Sequence, residues 1–237
     1  MEITHLIKIL TLSKHIRSFY CLLTLVLATL SAPLLLPAAA LDMNRLQALM
    51  HSLGGNPQSL IAWQKLLQDN QESPAEDKLR RVNEFFNRRI EFSTDQEIWG
   101  QSDYWATPME TLAKGKADCE DYVIAKYFTL LNMNIPDAQL RLIYVRARIG
   151  GPASSIQQAH MVLAYYATPD AEPLVLDNLI TEIRPATRRL DLQPIFSFNS
   201  QGIFAGTAAN TAPGPGGTAR LTRWQDLLQR ARREGFD

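Results

Sequence analysis

The chain has 237 residues, with 24 basic and 24 acidic side chains and a hydrophobic content of 46%. This length and composition are sufficient for one domain with a substantial core. The formal net charge of zero argues against a nucleic-acid-binding module, which would carry a basic stripe.

The first forty residues predict an export signal. Basic residues precede the apolar run CLLTLVLATLSAPLLL, and Ala38 and Ala40 in PAAALD occupy the small positions that precede a cleavage site. An uncleaved anchor is the alternative, because about 20 apolar residues can span a bilayer. We therefore expect residues 1–40 to be a cleaved signal peptide, or else an anchor. Residues 41–237 are expected to form a single exported domain without stable membrane insertion.

Export changes the meaning of the cysteines and histidines. Cleavage would remove Cys21, so Cys119 would be the only cysteine of the exported chain and could not form an internal disulfide. A single thiol retained in an oxidising compartment calls for a reason. Only His51 and His160 would remain among the histidines.

Helical patterns dominate the first part of this domain. MNRLQALMHSLGGNPQSLIAWQKLLQDN predicts two helices separated at GGNP, and SPAEDKLRRVNEFFNRRIEF predicts a third, with Ser73 as N-cap and Pro74 first. The segment that follows is polar and aromatic, which is typical of a loop. We expect it to contain a short helix at TPMETLAKG, capped by Thr107 and ended by Gly115.

The central helix is predicted from Asp118 to about Met133, and the hydrophobic period then changes. AQLRLIYVRAR, QQAHMVLAYYA and EPLVLDNL predict strands, and IRPATRRLDLQPIFSFNSQGIFAG contains further strand-like pieces. TAANTAPGPGGTA predicts a loop, and RLTRWQDLLQRARREGF predicts an amphipathic terminal helix. Helices followed by an antiparallel sheet indicate an α+β fold, with the cysteine-bearing helix packed on the sheet.

A hairpin brings the first pair of candidate site residues together. If a four-residue loop spans Ala167 to Asp170, His160 lies directly opposite Asp177. Directly opposed residues share a face of the sheet, with Cβ atoms about 4.5–5.5 Å apart, so a carboxylate could orient an imidazole. The alternative is a half-buried histidine and an aspartate near a turn that have no functional relation.

Cys119 supplies a candidate nucleophile at the start of the central helix. The unpaired backbone N–H groups and the dipole at a helix N-terminus favour a thiolate. A cysteine on a helix, followed by a histidine and an aspartate on neighbouring strands, is the chain order of papain-like and transglutaminase-like nucleophiles. The thiolate would attack a carbonyl, the imidazolium would protonate the leaving amine, and the carboxylate would hold the ring.

Three acids flank this cysteine, and their presence has two explanations. Asp118 is a good N-cap, and Glu120 and Asp121 in the first turn suit the helix dipole. A cap does not remove the electrostatic conflict between these acids and a thiolate, whereas a bound hard cation such as calcium would. Zinc is not expected, because the sequence has no second cluster of histidine and cysteine.

Several segments resemble a known family. VNEFFNRRIEF, WGQSDYWATPMETLAKGKADCEDYVIAKYFTL, AHMVLAYY and PLVLDNL are similar to the bacterial transglutaminase-like cysteine proteinases. The resemblance runs from about Leu46 to Arg188. It implies a papain-like core in which Cys119, His160 and Asp177 form the catalytic triad.

The same resemblance implies calcium dependence. In this family the acids that flank the cysteine bind calcium, and Asp118 and Glu120 match those positions. Asp121 and Asp103 are further candidate ligands. A bound cation would fix the loop before the helix and offset the field of the acids at the thiolate.

The resemblance also implies a periplasmic location, a substrate and a regulator. The substrate would be a large cell-surface biofilm adhesin, cut near its N-terminus at a paired-alanine site and thereby released. The regulator would be an inner-membrane receptor of cyclic di-GMP that sequesters the protease. The same triad would also suit a transglutaminase-type acyl transferase or deamidase acting on envelope proteins. A third alternative is a catalytically silent protein that binds a peptide.

Overall fold

The computed structural model describes residues 41–151, 153–207, 214, 217–219 and 221–236, and the predicted signal segment lies outside them. The described residues contain seven α-helices, named here in chain order: α1 (Met43–Ser52), α2 (Pro57–Asn70), α3 (Ala75–Arg89), α4 (Asp95–Trp99), α5 (Pro108–Lys114), α6 (Cys119–Asn132) and α7 (Thr222–Glu234). Within this described part, no helix is long and apolar enough to cross a membrane.

The strands form two sheets. Two short parallel strands, β1 (Glu91–Phe92) and β2 (Lys116–Ala117), lie on either side of α4 and α5 in the chain. The larger sheet is antiparallel and has the order β6-β5-β4-β3-β7-β8. Its strands are β3 (Leu140–Arg148), β4 (Gln157–Tyr165), β5 (Leu174–Leu176), β6 (Arg184–Pro185), β7 (Leu192–Phe198) and β8 (Ile203–Ala205).

Local sequence explains where the helices near the site begin and end. Thr107 and Glu110 form a capping box at the start of α5, and Gly115 ends that helix with a φ of 65°. Asp118 caps α6 by accepting a hydrogen bond from the backbone N–H of Asp121 at 3.3 Å. These predicted ends are confirmed, whereas α4, with its own capping box, was not predicted.

The core forms between the helices and one face of the large sheet. Leu142, Met161, Leu163 and Phe198 on the sheet pack in one buried cluster with residues of α1–α3 and α5–α7. The ten residues from Asp121 to Leu130 of α6 are all buried, so α6 is the central helix of the domain. The predicted α+β fold, with the cysteine-bearing helix packed on an antiparallel sheet, is confirmed.

Two boundary predictions differ from the structure. Pro74 occupies the N-cap position of α3, and the helix begins at Ala75, one residue later than expected. The strand predicted at EPLVLDNL is reduced to Leu174–Leu176. Most of the predicted loop TAANTAPGPGGTA falls outside the described residues.

Candidate active site

The candidate nucleophile lies where the sequence placed it, in the first turn of the central helix. Cys119 is the first residue of α6, partly buried, and its thiol is free. The thiol donates a hydrogen bond to Oε2 of Glu120 at 2.7 Å. Burial first, and then the charges of Glu120 and Asp118, raise the pKa of this thiol, while the backbone N–H of Met161 lowers it. As the structure stands, the acids therefore oppose thiolate formation.

His160 and Asp177 are in direct contact, although the predicted register is wrong by two residues. Leu163 pairs with Leu176, so continuing this register places Asp177 level with residue 162 rather than with His160. The chain between β4 and β5 spans residues 166–173 instead of the four expected. A shift by two keeps a residue on the same face of a sheet. His160 Nε2 therefore still reaches Oδ1 of Asp177 at 2.8 Å.

Asp177 is a buried carboxylate with a full set of partners. Its Oδ1 accepts hydrogen bonds from His160 and from the backbone N–H of Leu179 at 3.0 Å. Its Oδ2 accepts a hydrogen bond from Nη2 of Arg189 at 2.6 Å. Burial by itself would raise the pKa of Asp177, but these partners, His160 foremost, lower it to about 2. Asp177 is thus an ionised group whose orientation is fixed, and no sequence pattern had pointed to Arg189.

A group of three carboxylates lies beside the nucleophile. Asp95, Asp118 and Asp121 each offer an oxygen, and these oxygens lie within 4.8 Å of one another, the one such group among the described residues. Burial and the charges of neighbouring acids raise the pKa of Asp118 to about 9. Burial also raises the pKa of Asp95 and, more strongly, that of Asp121. Three desolvated acids this close can all ionise only if a positive charge joins them.

Unpaired oxygens show that this group fits a hard cation. Within the described part of the chain, Oδ1 of Asp95 and Oδ2 of Asp121 are buried without a hydrogen-bond partner. Native proteins rarely leave a buried carboxylate oxygen unsatisfied. Carboxylate oxygens converging at the start of a helix are suitable ligands for a divalent cation with oxygen preference.

The four acids predicted as ligands do not all lie together in the structure. Asp118 and Asp121 belong to the carboxylate group, together with Asp95, which was not predicted. Glu120 is not a member and instead accepts the hydrogen bond from the thiol. Asp103 is also not a member, and its exposed carboxylate pairs with Arg223 at 2.9 Å. Asp95 begins α4, and α5 and β2 lie between it and the cysteine in the chain, so no sequence pattern had pointed to it.

The loop before α5 supplies backbone donors to this carboxylate group. The N–H of Tyr104 donates to Asp95 Oδ2 at 2.5 Å, and the N–H of Ala106 donates to Asp121 Oδ1 at 2.7 Å. The C-terminal helix α7 holds the same loop, because Arg230 Nη2 donates to the carbonyl of Trp105 at 2.6 Å. Arg230 Nη1 also lies 2.7 Å from Glu110 at the start of α5.

One cleft of about 680 Å³ is lined by members of both the candidate triad and the carboxylate group. Its lining includes Cys119, His160, Asp95 and Asp118, with Phe92 and Leu179 as exposed apolar residues. Two tryptophans that precede the cysteine in sequence do not line this cleft: Trp105 is buried and stacks on Phe198 with ring centroids 5.8 Å apart, and Trp99 packs on Tyr104. The other histidine of the domain, His51, is exposed near the end of α1.

Comparison with known proteins identifies relatives. Residues 63–189 match the family model of the bacterial transglutaminase-like cysteine proteinases. The structure of Legionella pneumophila LapG is 35% identical over 81% of this chain and 98% of that chain, with a TM-score of 0.66. LapG treated with EGTA gives a TM-score of 0.68 at 35% identity, and calcium-bound LapG gives 0.66 at 36% identity with 80% and 99% coverage. No curated protein matched the chain.

Proposed function

This chain belongs to the bacterial transglutaminase-like cysteine proteinases, and from this membership we propose that it is a calcium-dependent endopeptidase of the periplasm. Its class is that of a cysteine protease. The observation that carries the proposal is the hydrogen bond between His160, which lines the same cleft as Cys119, and the buried Asp177 behind it.

The proposed mechanism uses these three side chains. His160 bonds Asp177 through Nε2, which leaves Nδ1 as the ring nitrogen for the thiol proton. The thiolate of Cys119 adds to the scissile carbonyl, the C–N bond breaks, and the imidazolium gives its proton to the leaving amine. Water activated by His160 then hydrolyses the thioester and restores the thiol. The backbone N–H of Cys119 at the helix N-terminus is our candidate for an oxyanion donor.

Calcium is the cation proposed for the carboxylate group of Asp95, Asp118 and Asp121. Support comes from the two unpaired buried oxygens of that group and from the similarity to LapG, whose structure was solved in a calcium-bound form. A bound calcium ion would supply positive charge that offsets the field of the acids at the thiol. Within the chain, Asp118 would then serve both as the cap of α6 and as a ligand.

The substrate and regulator are also proposals, and the family resemblance supports them. We propose that the enzyme releases a large cell-surface adhesin by cutting its N-terminal region at a paired-alanine site. An inner-membrane receptor of cyclic di-GMP would sequester the enzyme. An export signal in residues 1–40 is consistent with the periplasmic location of these partners.

Mass spectrometry of a defined reaction tests this function. The purified mature protein is incubated with a peptide containing adjacent alanines, with and without a primary amine, and Cys119→Ala is the control. We expect two fragments from the wild-type protein, with a new carboxylate at the cut, and none from the variant. An amine adduct in place of hydrolysis would show a transglutaminase-type transferase, and an intact peptide that stays bound would show a silent binding protein.

A further inference from the structure

One edge of strand β4 is open beside the nucleophile. β5 pairs only with Leu163–Tyr165, at the far end of β4. Along Gln157–Ala159 the strand pairs with β3 on one side, and the described part of the chain supplies no strand on the other. These three residues are exposed, so the open edge is accessible.

The register shows which backbone groups point toward the open edge. Ile149 N–H donates to the carbonyl of Ile156 at 3.0 Å, and these two residues continue the β3–β4 register. Residues of an antiparallel strand alternate in the side toward which they direct both backbone groups. Even-numbered residues of β4 therefore bond to β3, while Gln157, Ala159 and Met161 direct their N–H and C=O groups to the open side. The Met161 N–H lowers the pKa of the Cys119 thiol, which agrees with an N–H directed to the open side.

Asp177 keeps this edge free. Its side chain accepts a hydrogen bond from the N–H of Leu179 at 3.0 Å, which forms a local turn. This turn ends β5 after Leu176. β5 therefore turns away before it could cover Gln157–Met161. Leu179 lines the cleft that also contains Ala159, so the cleft has the open edge as one of its walls.

We propose that the substrate peptide binds as an added strand along the open edge of β4, with hydrogen bonds to the backbone of Gln157 and Ala159. The proposal rests on the endopeptidase function proposed above and names its recognition mode. In strand addition, main-chain hydrogen bonds give the affinity, and alternate side chains of the peptide give specificity. The ligand class is an extended, unfolded segment. Its path along the odd-numbered residues of β4 leads from Gln157 to Met161, whose N–H acts on the Cys119 thiol.

A methylation scan of a cleaved peptide tests the added strand. Residues on both sides of the scissile bond, apart from the two that flank it, are N-methylated one at a time. We expect a two-residue period on one side of the bond, because alternate amides of an extended strand face β4. Methylation at a facing amide should lower kcat/KM about two- to tenfold, the equivalent of one backbone hydrogen bond. An equal effect at every position would overturn the strand model, whereas a parent peptide that is not cleaved would overturn the endopeptidase function itself.

A variant pair tests the same edge from the side of the protein. Gln157→Pro removes one N–H from the open side and no bond to β3, and Gln157→Ala removes the same side chain but keeps the N–H. We expect kcat/KM of Gln157→Pro to be about two- to tenfold below that of Gln157→Ala. The rate at which iodoacetamide alkylates Cys119 should be equal in both variants, which shows that the nucleophile is intact. Equal kcat/KM values with equal alkylation would contradict the proposal.

Discussion

Asp177 and Arg189 form a buried ion pair, in which Arg189 Nη2 lies 2.6 Å from Asp177 Oδ2. The side chain of Arg189 is 1% exposed and that of Asp177 is 0% exposed. The other oxygen of the same carboxylate faces His160 at 2.8 Å. Arg189 therefore fixes the carboxylate that orients the imidazole, although it does not line the cleft that contains the thiol. Its guanidinium also reaches Asp191 at 2.7 Å, so it joins the start of β7 to the site.

Replacing Arg189 should lower the free energy of unfolding. It should also lower the rate of cleavage, because Arg189 holds the carboxylate that orients His160. Arg189→Met leaves Asp177 buried without its cationic partner, and removal of one member of a buried pair costs about 3–5 kcal/mol. We expect a loss of this size in the free energy of unfolding, measured by urea denaturation. Arg184→Met is the matched control, because its pair with Glu182 is exposed and should cost less than about 1 kcal/mol.

A double variant separates the charge effect from lost packing. Arg189→Met combined with Asp177→Asn leaves no unpaired buried charge at this position. The double variant should therefore be less destabilised than the sum of its two single variants. Strictly additive losses would mean that the two side chains contribute independently.

The sequence predicted the fold well, because the helix ends and the strand period are local properties. The caps at Thr107 and Asp118 and the stop at Gly115 depend on residues within one turn. The β4–β5 register depends instead on where a long connection lets the strands meet. Hydrophobic alternation along β4 fixes its face but does not distinguish registers that differ by two residues.

The site was only partly predictable for a related reason. Cys119, Asp118 and Asp121 follow one another in sequence, and their proximity follows from the helix start. Asp95 and Arg189 reach the site through tertiary packing, Asp95 by way of α4 and Arg189 by way of the turn before β7. Neither has a spacing from the cysteine or the histidine that a sequence pattern would single out.

Lys126 gives a prediction about pH. It has no exposed surface, and its Nζ has no hydrogen-bond partner within the described residues. Burial lowers its pKa from 10.5 to about 7, although the charge of Asp177 acts in the opposite direction. Between these two values the unfolded chain binds more protons than the folded one, so stability falls as the pH falls through this window.

Lys126→Met should therefore raise the free energy of unfolding at neutral pH and flatten its rise toward alkaline pH. Each unit of the pKa shift corresponds to about 1.4 kcal/mol. Urea denaturation of both proteins at several pH values between about 7 and 10 measures the slope. Lys65→Met, which removes an exposed lysine paired with Asp69, should leave it unchanged. Parallel pH profiles for wild type and Lys126→Met would contradict the prediction.

Cys119 and His160 should behave as one functional unit. Cys119→Ala should abolish cleavage and leave the fold intact, because the change removes little packing at a helix start. His160→Ala should be equally damaging, and Asp177→Asn somewhat less so. The double variant of Cys119 and His160 should be no worse than either single variant, since residues that act together are not additive. Multiplicative losses in single-turnover rates would show separate roles.

Arg230, on the C-terminal helix, should increase the calcium affinity of the carboxylate group. It holds the carbonyl of Trp105, in the loop whose N–H groups bond Asp95 and Asp121. We expect Arg230→Met to weaken calcium binding about tenfold, as is usual when a partner outside the ligand set is lost. Calorimetric titration measures the affinity, and Arg232→Met, an exposed change on the same helix, is the control. Equal affinities in both variants would show that the loop holds its position without this contact.

Removing calcium should stop cleavage, and adding it back should restore it. Magnesium should restore activity poorly, because it demands tight octahedral geometry and gives up water reluctantly. Calcium should also raise thermal stability, by about 2.7 kcal/mol at a hundredfold excess over the dissociation constant if only the folded state binds. Asp95→Asn should reproduce the effect of a chelator, whereas Asp103→Asn should not, because Asp103 lies outside the carboxylate group.

Asp118→Ser separates a calcium ligand from a helix cap, since serine keeps the cap but loses the charged oxygen. If Asp118 is a ligand, this variant should lose both calcium-induced stabilisation and cleavage. If it is only a cap, Asp118→Ala should cost about 0.5–2 kcal/mol and chelators should change nothing. Glu120→Gln adds a third comparison, because its carboxylate contacts the thiol and not the carboxylate group. This variant should bind calcium like the wild type, and a loss of binding would return Glu120 to the ligand set.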